Sequence, residues 1–305
     1  MRCGSRLTDL SGLMLTLIEA ISLAGDRKKQ NDDAHGALGR CAWVIDGATD
    51  LGEPPISSAA SDAAWLAGEL NFALHEAATV YDHVTIDEEY IRETLRAASE
   101  FAREDFSGFP VVPLHSPWRS PTASALIIGE DEGDIIGLDL GDCRCFALDA
   151  DGAAHAIGGP QNAANDEERA AAQAGKTADP AALLRDAGTL DRLRAKRALH
   201  NTEEPGGYWV FGLQPECADH ARYWQLPLKR PAHILLCTDG LSALVDRYHA
   251  YDAAGIVRAA LDKGLHELGR ELRDIEAADA GGAKHPRFKP SDDATGVLLR
   301  LTEAD

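Results

Sequence analysis

Cys41-Ala-Trp-Val-Ile-Asp-Gly47 is five apolar residues without a break, then a carboxylate, then a glycine. Such a run, closed by an Asp-Gly turn signal, reads as a core strand that ends on an acidic side chain. Working outward, residues 15–23 alternate and read as a strand, joined to 41–45 by the polar segment 25–40. Residues 57–78 carry Leu66, Leu70, Ala73, Leu74 and Ala77 at helical spacing, and residues 88–106 repeat the period with Ile91, Leu95, Ala98, Phe101 and Ala102. Two amphipathic helices in succession pack on one face of a sheet. Strands follow at 123–128, 134–140 and 144–149, linked by the acidic turn 130–133 and by Gly141-Asp142, which predicts an antiparallel meander. Further strands are expected at 208–213, 223–228, 233–238 and 294–301, with one long helix over 252–275. The fold class is α+β, built in layers.

The chain has 305 residues and no Gly/Ser-rich or Pro-rich linker, so a single domain over 1–305 is expected. Residues 1–14 read as a disordered or extended N-terminus, and the Ala-rich, charged segment 165–201 as a flap or insertion. Within that segment, residues 185–200 hold five Lys/Arg against two Asp, a positive island that reads either as a solvated helix face or as a flap facing an anionic substrate. Elsewhere acid dominates: 50 Asp+Glu against 30 Lys+Arg give a net charge of −20, which repels a nucleic-acid backbone. The apolar run 13–23 is broken by Thr16, Glu19 and Ser22, too short for a membrane span and a poor signal peptide. The six cysteines form no CxxC and sit in apolar runs, so buried free thiols in a reducing, cytoplasmic setting are expected, without zinc.

The aspartates carry the chemistry. Asp46, Asp142 and Asp239 each close an apolar strand, Asp292-Asp293 immediately precede the last strand, and Asp32-Asp33 lie between the first two. Any one of these reads as a turn, but carboxylates gathered at the edge of a core need a cation, and few Lys or Arg stand nearby. An all-oxygen donor set selects Mg²⁺ or Mn²⁺ over Zn²⁺.

The ordered series Asn31-Asp32-Asp33-Ala34, Val44-Ile45-Asp46-Gly47, Pro121-Thr122-Ala123, Leu140-Gly141-Asp142-Cys143-Arg144, Thr238-Asp239-Gly240-Leu241 and Ser291-Asp292-Asp293-Ala294-Thr295 resembles the type 2C, or PPM-type, metal-dependent protein serine/threonine phosphatases. The likeness runs over nearly the whole chain. It implies two antiparallel sheets forming a central sandwich flanked by helices, four layers in the order αββα, with two metal ions at one end. By this resemblance Asp46 bridges both metals, the Gly47 carbonyl holds one, Asp239 and Asp292 hold the other, and Asp32 holds metal-bound water. Asp142 would share a third, weaker metal with Asp239, while Thr122 is structural. The implied cofactors are two or three Mn²⁺ or Mg²⁺ ions and the implied partner is a phosphorylated protein.

The implied reaction is hydrolysis of phosphoserine or phosphothreonine by direct attack of water activated between two metals, with Asp46 and Asp239 as the catalytic carboxylates. No cysteine lies in a Cys-x5-Arg loop, so a thiol phosphatase is excluded. Two positions depart from the family pattern. The phosphate clamp, usually an Arg, falls on Arg27, Lys28 or Lys29, and the His that many members carry two residues after the bridging Asp is Ala48. His35 and His200 are the histidines available as a replacement acid, and metal-bound water is the other source of the proton. Two alternatives follow: a regulatory binding module that keeps the fold with reduced catalysis, and a hydrolase of small phosphate esters.

Overall fold

The computed structural model describes residues 13–52, 54–80, 86–109, 116–131, 133–159, 170–172 and 180–303. Its strands are β1 (Leu13–Leu23), β2 (Asp33–Leu38), β3 (Cys41–Gly47), β4 (Ala123–Asp131), β5 (Asp134–Leu140), β6 (Arg144–Leu148), β7 (Ala154–Gly158), β8 (Arg222–Leu226), β9 (Ala232–Cys237) and β10 (Ala294–Glu303). The helices are α1 (Asp62–Val80), α2 (Glu88–Ser107), α3 (Ala187–Arg197), α4 (Asp239–Asp246), α5 (Ala253–Lys263) and α6 (Leu265–Ala278). Among the described residues the strands form two five-stranded sheets, ordered β1-β10-β9-β6-β7 and β2-β3-β4-β5-β8. Every pairing within them is antiparallel.

The unbroken apolar run of β3 has a simple cause, because both of its faces are covered. Trp43 and Ile45 pack under α1 and α2 with Leu66, Leu70, Leu95 and Phe106, while Ala42 and Val44 face the other sheet against Ile234, Leu236, Val297 and Leu299. Strand β9 repeats the arrangement, with Ile234 and Leu236 between the sheets and Leu235 and Cys237 under α4, α5 and α6. The layers are helix, sheet, sheet, helix, as the resemblance implies.

Four expectations from the sequence change. The meander is interrupted: β4 and β5 form a hairpin, but β6 leaves for the other sheet and pairs with β7 and β9. The crossing occurs at Gly141, whose φ of +85° and closeness to Ser124 (a Cβ would meet its Oγ at 2.2 Å) exclude any side chain there. Asp142 is thereby thrown to the end of the sandwich. The polar segment 25–40 contains an edge strand, β2, that its mixed composition hides.

Residues 208–213 make only single bridges, Ala123 with Phe211 and His200 with Tyr208, because the Val210 N–H is taken by Asn201 Oδ1 at 2.8 Å instead of a neighbouring strand. The long helix over 252–275 is two helices. Glu19, from the bulge in β1, accepts the N–H of Leu265 at 2.8 Å and of His266 at 3.3 Å, so a new helix starts there. Of the proposed terminus 1–14, residues 1–12 lie outside the described residues and Leu13–Leu23 is already strand. Of segment 165–201, residues 165–169 and 173–179 lie outside them as well.

Candidate active site

One end of the sandwich collects carboxylates because the strands stop there together. Asp33 opens β2 and pairs in register with Asp46 at the end of β3, which pairs in turn with Ser124 of β4. Asp142 occupies the crossing turn and accepts Ser124 Oγ at 2.6 Å. Asp239 is the first residue of α4, directly after Thr238, whose hydroxyl donates to Asp33 Oδ2 at 2.9 Å. Asp292 lies in the loop entering β10, and its neighbour Asp293 accepts the N–H of Gly25 and of Asp32, each at 2.7 Å. Gly47 is wedged between Asp32 and the start of α1, where a Cβ would meet the Asp32 and Ala63 carbonyl oxygens at 2.5 and 2.9 Å.

Asp46, Asp142, Asp239 and Asp292 line one cavity of about 400 Å³. Burial, then the charges of Asp239, Asp33, Asp142 and Asp292, push the Asp46 carboxyl well above its ordinary range. Burial likewise raises Asp33 to about 8, against its hydroxyl partners, and Asp32 to about 6. Asp292 goes the other way: burial opposes ionisation, but the Lys289 ammonium 2.5 Å from its Oδ1 holds it below the usual carboxylate range. Buried carboxylates that also raise one another, with oxygen as the donor, are a charge arrangement that a hard dication would relieve. Among the described residues no three His, Cys, Asp or Glu side chains stand as a finished ligand cage, and Asp292 is turned to Lys289. The donor chemistry, the excess of buried negative charge and the bare backbone at Gly47 all fit the metal pair, although the carboxylates must still close on it.

The sequence-derived candidates separate in space. Of Arg27, Lys28 and Lys29, only Lys29 lines the cavity. Asp32 lies beside the cavity with its carboxylate on Ser61 Oγ, whereas its neighbour Asp33 shares the electrostatic field of Asp46. Asp33 stands opposite Asp46 in the β2–β3 register, a neighbour of the cavity lining that the motif does not single out. His35 does not reach the cavity. His200 does, but burial and the charges of Arg197 and Lys196 hold its pKa down to about 3, which disfavours the imidazolium that a general acid near neutral pH needs. Its Nδ1 lies 3.3 Å from the hydroxyl of buried Thr122.

The positive island resolves into α3. Leu190, Leu193, Arg194 and Arg197 form its inward stripe at helical spacing. Arg194 donates to Leu51 O at 2.8 Å and stacks on Trp118 at 4.3 Å, while Arg197 donates to Ala48 O and Thr49 O at 3.4 and 3.3 Å. The loop that leaves Asp46-Gly47 is therefore fastened to this helix, and Lys196 and Arg197 line the same cavity as the carboxylates.

A profile of the protein phosphatase 2C family matches residues 25–272. The chain belongs to that family, whose members are protein serine/threonine phosphatases. A search of curated proteins finds no match. Solved structures agree on the fold. The catalytic domain of the serine/threonine phosphatase PstP in complex with two manganese ions is 17% identical, covers 95% of this chain and 99% of its own, and superposes with a TM-score of 0.54. PstP from Mycobacterium tuberculosis gives 18% identity, the same coverages and a TM-score of 0.53. The PPM phosphatase MsPP from Mycobacterium smegmatis, in complex with cacodylate, gives 17% identity, coverages of 93% and 98%, and a TM-score of 0.53.

Proposed function

We propose that this chain is an active, metal-dependent phosphatase that hydrolyses phosphoserine and phosphothreonine in phosphorylated proteins. The observation that carries the reading is the convergence of Asp46, Asp142, Asp239 and Asp292 on one cavity, with Asp33 close enough to add to the rise in the Asp46 carboxyl. Asp46, the Gly47 carbonyl, Asp239 and Asp292 would hold two Mn²⁺ or Mg²⁺ ions, with Asp142 and Asp239 available to a third. Bound there, the dications supply neutralisation of phosphoryl charge and a water acidic enough to attack phosphorus near neutral pH.

The chain's own residues do the rest. Lys29, Lys196 and Arg197 present cations to a phosphoryl group entering the cavity. Thr238 and Ser124 hold Asp33 and Asp142 in place by hydrogen bonds. Neutral His200 leaves the proton for the departing alkoxide to come from solvent, in keeping with Ala48 where many relatives have a histidine.

The setting fits a single domain in the cytoplasm. Cys41, Cys143, Cys145, Cys217 and Cys237 are free and buried, as a reducing compartment favours. No helix among the described residues is long and apolar enough to cross a membrane, and the −20 charge disfavours nucleic acid. The test is Mn²⁺-dependent hydrolysis of an aryl phosphate and of a phosphothreonine peptide, repeated with Asp46→Asn and Asp239→Asn. Each substitution should lower turnover by at least ~100-fold, the scale of losing a metal's electrostatic role. Turnover that survives both, or that ignores a chelator, removes the mechanism. A strong preference for small esters over the peptide removes the protein substrate.

A further inference from the structure

One cation in the cavity is held by the carboxylate cluster itself. Lys289 stands three residues before Asp292, and its Nζ sits 2.5 Å from Asp292 Oδ1. The charges of Asp239 and Asp46 reach it as well, and its side chain keeps 32% of its surface, open to the cavity. Lys289 is no loose surface lysine. On one side Phe288 is buried with Ala171 and Leu183 beneath the segment that leads into α3. On the other, buried Arg287 donates to Glu276 O at 3.0 Å, to Asp279 O at 2.6 Å and to Pro290 O at 3.1 Å. Arg273 also donates to the Asp292 carbonyl at 2.8 Å, fixing the loop at its far end. The backbone therefore delivers the ammonium to that carboxylate by construction.

We propose that Lys289 is a built-in counter-cation for Asp292, which a dication must displace in order to bind there. The inference rests on Asp292 being a metal ligand, as the proposed function has it. An ammonium and a dication on the same oxygen repel each other, so the position at Asp292 fills at a higher metal concentration than the one at Asp46 and Gly47. Displaced from Asp292, Lys289 faces the cavity with its charge unspent, beside Lys29 and Arg197. Metal loading at the second position would thus be coupled to release of one further cation into the substrate space.

The experiment is a Mn²⁺ titration of the purified full-length chain, followed by calorimetry and by the electron paramagnetic resonance signal of free Mn²⁺. Wild type should show a tight and a weak class of site. Lys289→Met, which keeps the length and packing of the stem, should tighten the weak class at least 10-fold and leave the tight class within twofold. Lys289→Arg, which keeps the charge, should retain the weak class. Superimposable wild-type and Lys289→Met isotherms, or weaker binding by Lys289→Met, overturn the proposal while leaving the phosphatase reading standing. A wild-type chain that binds no Mn²⁺ overturns both. Should Lys289→Met fail to fold, wild type alone decides by acylation footprinting: labelling of Lys289 should rise as the weak class fills, and unchanged labelling contradicts the displacement.

Discussion

Gly47→Ala is the substitution that most directly links packing to chemistry. The added methyl carbon would sit 2.5 Å from the Asp32 carbonyl oxygen and 2.9 Å from that of Ala63. Both are backbone atoms, one in the loop before β2 and one in the first turn of α1, so no side chain can swing aside. Relief needs the end of β3 to move, and Asp46 moves with it. Overpacking of this kind costs about 1–3 kcal/mol. A chain of 305 residues unfolds with an entropy near ~0.6 kcal/mol per degree, so the metal-free Tm should fall by about 2–5 °C. Mn²⁺ affinity should fall about 10-fold or more, because the ligand carboxylate and the backbone carbonyl shift together. The control is Gly68→Ala, on the exposed face of α1 with nothing within 4 Å, which should raise stability by about 0.5–1 kcal/mol and leave Mn²⁺ binding alone. Scanning calorimetry and a Mn²⁺ titration on both variants check the argument. A Gly47→Ala chain with wild-type Tm and wild-type Mn²⁺ affinity would refute it.

Further outcomes follow from the same geometry. Asp33 and Asp32 are raised to about 8 and about 6, so the folded chain binds protons that the unfolded chain, with carboxyls near 3.8, does not. Their contribution to stability is complete near pH 4 and is lost as pH rises through 6 and then 8, with a slope of up to about 1.4 kcal/mol per pH unit per group. The metal-free protein should therefore gain stability on going from pH 8.5 to pH ~5.5. Denaturant melts would detect it, and Asp33→Asn should make the upper half of the trend shallower, leaving the part that Asp46 contributes. Lys29→Ala should raise KM for a phosphopeptide about 10-fold with little change in kcat, while Arg27→Ala stays within about twofold. Equal effects of the two would remove Lys29 from the phosphate site. Glu19→Ala should cost about 1 kcal/mol by uncapping α6, and Glu19→Gln should recover part of it, as read by Tm.

How much of this was legible before folding depends on the residue. Asp46, Asp142 and Asp239 are legible because each closes an apolar run, and Asp292 because it stands directly before one, which is local information. That Asp33 rather than Asp32 faces Asp46 is not local information: it follows from the β2–β3 register, and β2 reads as polar loop because it is an edge strand. Likewise, Lys29 differs from Arg27 and Lys28 only in how a short exposed turn is aimed. The arginines of α3 could be seen as a cluster, but their partners are the carbonyls of residues 48, 49 and 51, about 145 positions earlier in the chain, where composition is silent. The division of the helix at residue 264 has the same character, since Glu19 of a distant strand caps its second half. The change of sheet after β5 turns on Gly141, which marks a turn in the sequence without saying into which sheet it leads.

The central claim is that Asp46, Asp239 and Asp292 share hard dications. Anomalous difference maps from crystals grown with manganese, recorded on both sides of its absorption edge, test it without reference to activity. Two peaks within coordination distance of these carboxylates, one of them also at the Gly47 carbonyl, are the predicted result. Maps with no peak in this cavity, at manganese concentrations well above those that support turnover in relatives of the family, would contradict the account.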